Sequence, residues 1–250
     1  MAALAQSPLQ DWLHQPHTDI VMRGNVILLL WVLSAAVLSA PHHHKEPVVM
    51  APGYAPLSFT PPGAGTYGLP AMGVAGDGQV LDNQGRATYL HDYLGDKPTV
   101  LSFIFTTCDD VNGCPLATYV MRSVQDALQA DPDTADKARL VSFSFDPVFD
   151  TPDVIDAYGS QFRTDNFDWQ FLTTSGPEAL DPILSAYGQW VIRDYDDNGD
   201  YTGTMSHILR VFLIDKHRNI RNIYSTSFLH ADTVANDVRS LLMEEEAALP

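Results

Sequence analysis

The chain has 250 residues, 45% of them apolar, and a formal net charge of −17 from 14 Lys and Arg against 31 Asp and Glu. That length suits one good core with appendages, or at most two small domains, and the acidity argues against nucleic acid or an anionic membrane surface as the main partner. With only two cysteines the chain is not a disulfide-dense scaffold.

Residues 1–25 read as a polar, irregular tail. Val26–Ala40 is a run of 15 apolar or small residues, short of the roughly 20 that span a bilayer but matched to a secretory h-region. Arg23 supplies a positive flank just before it, which makes Met22 a natural start for such a signal. The run is read as a signal peptide or a retained membrane anchor, and either one exports the rest of the chain. Residues 41–73 are rich in Pro and Gly and read as a linker with no core of its own. Within it, His42-His43-His44 has the chemistry to collect a borderline metal or to serve as a solvated tether.

The globular domain is placed at 74–250. Residues 79–90 predict a β-hairpin turning at 82–85, and 91–95 a short helical turn. A strand over 99–105 is followed by a helix from Pro115 to about Ala130, ended by Asp131-Pro132-Asp133. Ala138–Phe145 alternates and reads as a second core strand. Thr151 and Pro152 open a helix running to about Arg163. Trp169–Leu172 is a short strand, 178–187 a helix, and 189–193 a strand or bridge before an acidic loop. Ile208–Asp215 and Ile220–Tyr224 form a hairpin, and Ala231–Met243 a closing amphipathic helix. This order of strands and helices defines an α/β domain of the thioredoxin kind, a central mixed sheet flanked by helices behind an N-terminal β-hairpin.

The chemistry is expected where the core strand meets the first helix. Val100–Phe105 is a near-continuous apolar run, the pattern of a strand buried on both faces. Both cysteines lie in the turn that follows, Cys108 just past the strand and Cys114 at the helix start, ahead of Pro115. A helix N-terminus favours thiolate over thiol, so Cys114 is expected to ionise readily. Five residues between the cysteines close a loop small enough for a disulfide or a shared metal. Asp109 and Asp110 beside Cys108 oppose a bare thiolate and favour a bound cation.

Four stretches together resemble the Sco/SenC family, thioredoxin-fold proteins that deliver copper to cytochrome oxidase or act as thiol redox partners there. Phe103–Cys108 with Cys114-Pro115 is similar to the family's F-x-F/Y-T-x-C…C-P, and Asp146–Pro152 to its D-P-x-x-D-T-P. Trp169–Thr173 is similar to the segment before its third helix. Met205-Ser206-His207 ahead of Val211–Asp215 looks like its metal histidine and following strand. The likeness covers about residues 74–245. One feature departs from it: the family pattern has three residues between the cysteines, and this chain has five.

The resemblance implies one copper ion, Cu(I) or Cu(II), held by Cys108, Cys114 and His207. Two thiolates and an imidazole suit a soft ion that accepts three ligands, whereas a closed structural zinc site takes four. Asp146, at a strand end near the cysteine loop, is a candidate to hydrogen-bond a ligand or tune a thiol. The implied partner is a respiratory oxidase subunit or another copper acceptor on the periplasmic side of a bacterial inner membrane, with membrane attachment through 26–40 if that run is uncleaved. The reading is of a metallochaperone rather than an enzyme. The enzyme alternative is an exported thiol–disulfide reductase in which Cys108 and Cys114 attack and resolve a mixed disulfide. The loop Asp194–Asp200 matches the first half of a calcium loop, but Met205 occupies the position of the bidentate carboxylate, so a solvated acidic turn is expected there.

Overall fold

A computed structural model describes residue 51 and residues 53–248. The predicted tail, the apolar run 26–40 and His42-His43-His44 lie outside the described residues. Among those described, no helix is long and apolar enough to cross a membrane.

In chain order the elements are β1 (Gly73–Val74), β2 (Gln79–Leu81), β3 (Ala87–Tyr89), β4 (Thr99–Ile104), α1 (Cys114–Gln129), β5 (Arg139–Ser144), α2 (Pro152–Gly159), β6 (Trp169–Leu172), α3 (Pro177–Ala186), β7 (Val191–Tyr195), β8 (Tyr201–His207), β9 (Arg210–Ile214), β10 (Asn219–Ser225) and α4 (Ala231–Ala247). Six strands form one sheet in the order β1-β10-β9-β4-β5-β6. β4, β5 and β6 run parallel, while β9, β10 and β1 continue antiparallel on the other side of β4. β2 and β3 form the predicted hairpin, bridged to the sheet through Leu81 and Thr173.

Every residue of β4 is buried, as its near-continuous apolar pattern requires of a central strand covered on both faces. Register places Phe103 beside Phe143, and both Phe143 and Phe212 meet its ring edge-on at 5.5 and 5.8 Å, with Tyr187 just past α3 closing that face. On the other face, Gly159 of α2 lies so close to Phe171 that a Cβ there would stand 2.5 Å from the ring. α1 buries Leu116, Ala117, Val120, Val124 and Leu128 and packs against α4.

Three elements differ from the sequence expectation. The helix expected to reach Arg163 ends at Gly159, after which the carbonyl of Phe162 accepts bonds from Arg122 and Gln125 of α1. The acidic loop is the tip of a second hairpin, β7–β8, separate from the main sheet. Residues 53–72, which composition assigns to a linker, lie along α4: the Gly65 amide donates to Ser240, Tyr67 bonds to Asp237, and Leu69 is buried with its carbonyl held by Arg221. These bonds are polar and made one residue at a time, so no hydrophobic period announces them.

Candidate metal centre

Three elements converge on one point. β4 and α1 deliver the cysteines from the rigid core. Gly113 precedes α1 as its N-cap, and a Cβ there would stand 3.2 Å from the Asp110 carbonyl and 3.4 Å from the Cys108 sulfur, so the turn is tight enough to favour glycine. Within the loop the Gly113 amide donates to the Asp110 carbonyl at 2.8 Å, and the Asn112 amide to the Asp110 carboxylate at 3.0 Å. The five-residue loop therefore folds back on itself instead of splaying the sulfurs apart. β8 delivers His207 from the second hairpin, where it pairs with Val191.

The ligand atoms of Cys108, Cys114 and His207 all lie within 4.8 Å of one another. Both cysteines are free thiols, and His207 Nε2 stands 3.7 Å from the Cys114 sulfur. The imidazole packs on Phe145, with ring centroids 4.7 Å apart, and more distantly on Phe105. Its Nδ1 is buried and has no hydrogen-bond partner among the described residues. Aromatic packing, not an outer hydrogen bond, thus sets the ring's orientation, unlike most metal-bound histidines.

The two thiols differ sharply. Cys114 is 1% exposed, and burial pushes its pKa well above the usual thiol value, with the Cys108 sulfur adding to the shift. Cys108 is lowered to about 5, chiefly because the Cys114 thiol donates to it, with further help from His207 and the backbone amides of Cys114 and Asp110. The expectation of a Cys114 thiolate is therefore corrected. Cys114 does begin a helix, but the desolvation it suffers outweighs the helix dipole there. The ionising thiol is Cys108, at the edge of the cavity.

That cavity, about 410 Å³, is lined by Cys108 and His207 together with Asp109, Asp110, Asp194 and Ser206. Its wall offers the Cys108 sulfur, the imidazole and several carboxylates, with the buried Cys114 sulfur behind them, a donor set suited to a soft cation of low coordination number, Cu(I) above all. Asp146 is not brought to the ligands. It is buried, its carboxylate faces Arg193 at 3.8 Å, and it lines a separate pocket with Thr107, Phe149 and Tyr201. Asp150, four residues on, is the carboxylate that reaches the root of the cysteine turn, through Thr106. Its signal was the second acid of the Asp146–Pro152 motif. Asp194, the first residue of the supposed calcium loop, accepts bonds from Thr204 and Ser206, and Asp196 accepts the amides of Asn198 and Asp200. Both carboxylates are engaged by their own hairpin.

A thioredoxin-like α/β domain carrying a Cys/Cys/His cluster at its strand-to-helix turn defines the class: a dithiol–imidazole metal-binding protein on a redox fold. Within that class, the SCO1/SenC family model matches residues 71–243, and the chain belongs to this family. ScoI of Bradyrhizobium japonicum, solved with copper bound, is 26% identical, with a TM-score of 0.55 over 67% of this chain and 99% of that one. Apo Sco1 of Thermus thermophilus is 26% identical, with a TM-score of 0.57 over 71% and 95%. BsSco, described as a member of the Sco family of cytochrome c oxidase assembly proteins with a disulfide switch, shares the fold at 20% identity and a TM-score of 0.53, over 70% and 96%. No curated protein sequence matches the chain.

Proposed function

We propose that this chain is an exported copper chaperone of the Sco kind. It takes one copper ion as cargo on Cys108, Cys114 and His207 and passes it to a respiratory oxidase subunit or another copper acceptor. The convergence of the three ligand atoms within 4.8 Å, two of them at the wall of an open acidic cavity, carries this reading. Family membership and a relative solved with copper support it. The cavity mouth attracts a cation, the sulfurs select a soft one, and the half-exposed Cys108 is the ligand an incoming acceptor reaches first. Handover then proceeds by exchange of one ligand at a time, with the buried Cys114 the last to let go. The apolar run 26–40, read as a signal or anchor, supports a periplasmic site of action at a bacterial inner membrane, tethered there if the run is retained.

The test is anaerobic Cu(I) titration of the reduced full chain beside Cys108→Ala and His207→Ala. One tightly bound equivalent, lost or strongly weakened in both variants, is the expected result. No specific copper in the wild type would reject the reading.

The thiol asymmetry favours a second reading, a thiol–disulfide reductase in which the Cys108 thiolate attacks a target disulfide and Cys114 resolves it. Exchange activity that survives His207→Ala without stoichiometric copper would favour that reading.

A further inference from the structure

Asp150 carries a carboxylate that is fully buried, 0% exposed, where β4, β5 and α2 meet. One oxygen, Oδ2, accepts the Thr106 backbone N–H at 3.0 Å and the Ser144 hydroxyl at 2.5 Å, and Oδ1 accepts the Thr106 hydroxyl. A buried carboxylate is costly unless it is well satisfied. Three other buried carboxylates answer that cost with an arginine, Asp82 with Arg86, Asp215 with Arg221 and Asp146 with Arg193, while Asp237 is held by Tyr67, Asn222 and Tyr224. Asp150 uses three neutral donors, two of them on a residue 44 positions away. A local turn needs no such reach.

The reach ends at the root of the cysteine loop. Phe105 and Thr106 carry the chain from β4 to Cys108. The Phe105 amide donates to the Cys114 sulfur at 3.4 Å, and the next amide donates to Asp150. The Cys108 amide then turns back onto the Phe105 carbonyl at 3.3 Å. Beyond that point the loop is held by its own short bonds around Asp110, so the direction in which Cys108 leaves the sheet is set at Phe105 and Thr106.

We propose that Asp150 is the positioning residue of this centre: by clamping Thr106 to the end of β5, it returns the Cys108 sulfur to Cys114 and His207 across the longer loop. The inference rests on the reading of these three residues as one site. It concerns geometry, so it acts on the metal-free thiol pair as much as on copper.

The experiment compares wild type, Asp150→Asn and Thr106→Val as full chains in two assays, with thermal unfolding alongside. In the first, the metal-free reduced protein reacts with oxidised glutathione. Both protein thiols are oxidised to one Cys108–Cys114 disulfide, while one glutathione disulfide is reduced to two glutathiones, and intramolecular closure depends on how well the sulfurs are held together. Asp150→Asn, which turns an amide donor toward existing donors, is expected to slow closure at least fivefold. In the second, Cu(I) affinity is measured by chelator competition, and the same variant is expected to bind at least tenfold more weakly. Thr106→Val removes one donor only and is expected to shift both readouts the same way by less. If Asp150→Asn does not fold, Thr106→Val decides. Closure and affinity within twofold of wild type in a folded variant, whatever its melting temperature, would overturn the proposal and leave Asp150 a purely structural residue. A wild type that takes up no copper would sink the copper reading alone, because the glutathione assay still decides for Asp150.

Discussion

The cysteines and the histidine reach the same point from regions built on different physics. The cysteine turn is rooted in β4, buried along its whole length, and in α1, whose first residue is itself buried. The histidine sits on β7–β8, a hairpin outside the main sheet, where Trp190, Ile192, Tyr195 and Ile208 are exposed and Met205 is buried. Apolar burial holds the first region. Cross-strand pairing and the Asp194 bonds to Thr204 and Ser206 hold the second. A donor set divided between a rigid frame and a lightly anchored hairpin suits the proposed role of holding an ion and releasing it.

Core truncation separates the two regions most visibly. Phe103→Ala removes the ring at the centre of the Phe143, Phe212 and Tyr187 cluster and should cost about 3–5 kcal/mol of unfolding free energy, read by denaturant titration. His207→Ala, on the other side of the divide, should leave the unfolding midpoint near wild type. It should weaken Cu(I) binding by about 100-fold or more, beyond what loss of an outer hydrogen-bond partner costs, read by chelator competition.

The thiol asymmetry belongs wholly to the rigid frame, and pH sharpens it. A lowered pKa means that Cys108 is thiolate above its midpoint, so alkylation of the metal-free protein by iodoacetamide should rise through about pH 5 and be flat at neutral pH. Cys114→Ala removes the largest cause and should move that midpoint upward toward the usual thiol range, followed by mass spectrometry of the modified Cys108. The smallest effect is expected on the hairpin's outer face: Ile192→Ala, at an exposed position, should change stability by less than about 0.5 kcal/mol.

The same divide decided what the sequence disclosed. β4, α1, β5, β9 and the β2–β3 hairpin were legible because burial writes apolar runs, helical stripes and turn residues into the chain. Cys108 and Cys114 were legible as a pair through their placement at the strand-to-helix turn. β8 was not: Tyr201–His207 is mostly polar, with Met205 its one fully buried side chain, so no alternation marks it as a strand. His207 was found through family likeness instead. Asp146 was the only acid of its loop singled out in the sequence, and Asp150 was passed over for a related reason. Two acids four residues apart in one loop look alike in sequence, and only the fold shows which is carried inward to Thr106 and which faces Arg193. The thiolate was placed on Cys114 because helix position can be read from sequence and desolvation cannot.

In the proposed site the hairpin's histidine completes what the cysteine turn begins. X-ray absorption spectroscopy of the Cu(I)-loaded chain, beside His207→Ala, tests it most directly. Copper bound by two sulfurs and one nitrogen is expected in the wild type, with the nitrogen lost in the variant. Copper bound by sulfur alone in the wild type, or a spectrum unchanged by His207→Ala, would contradict it.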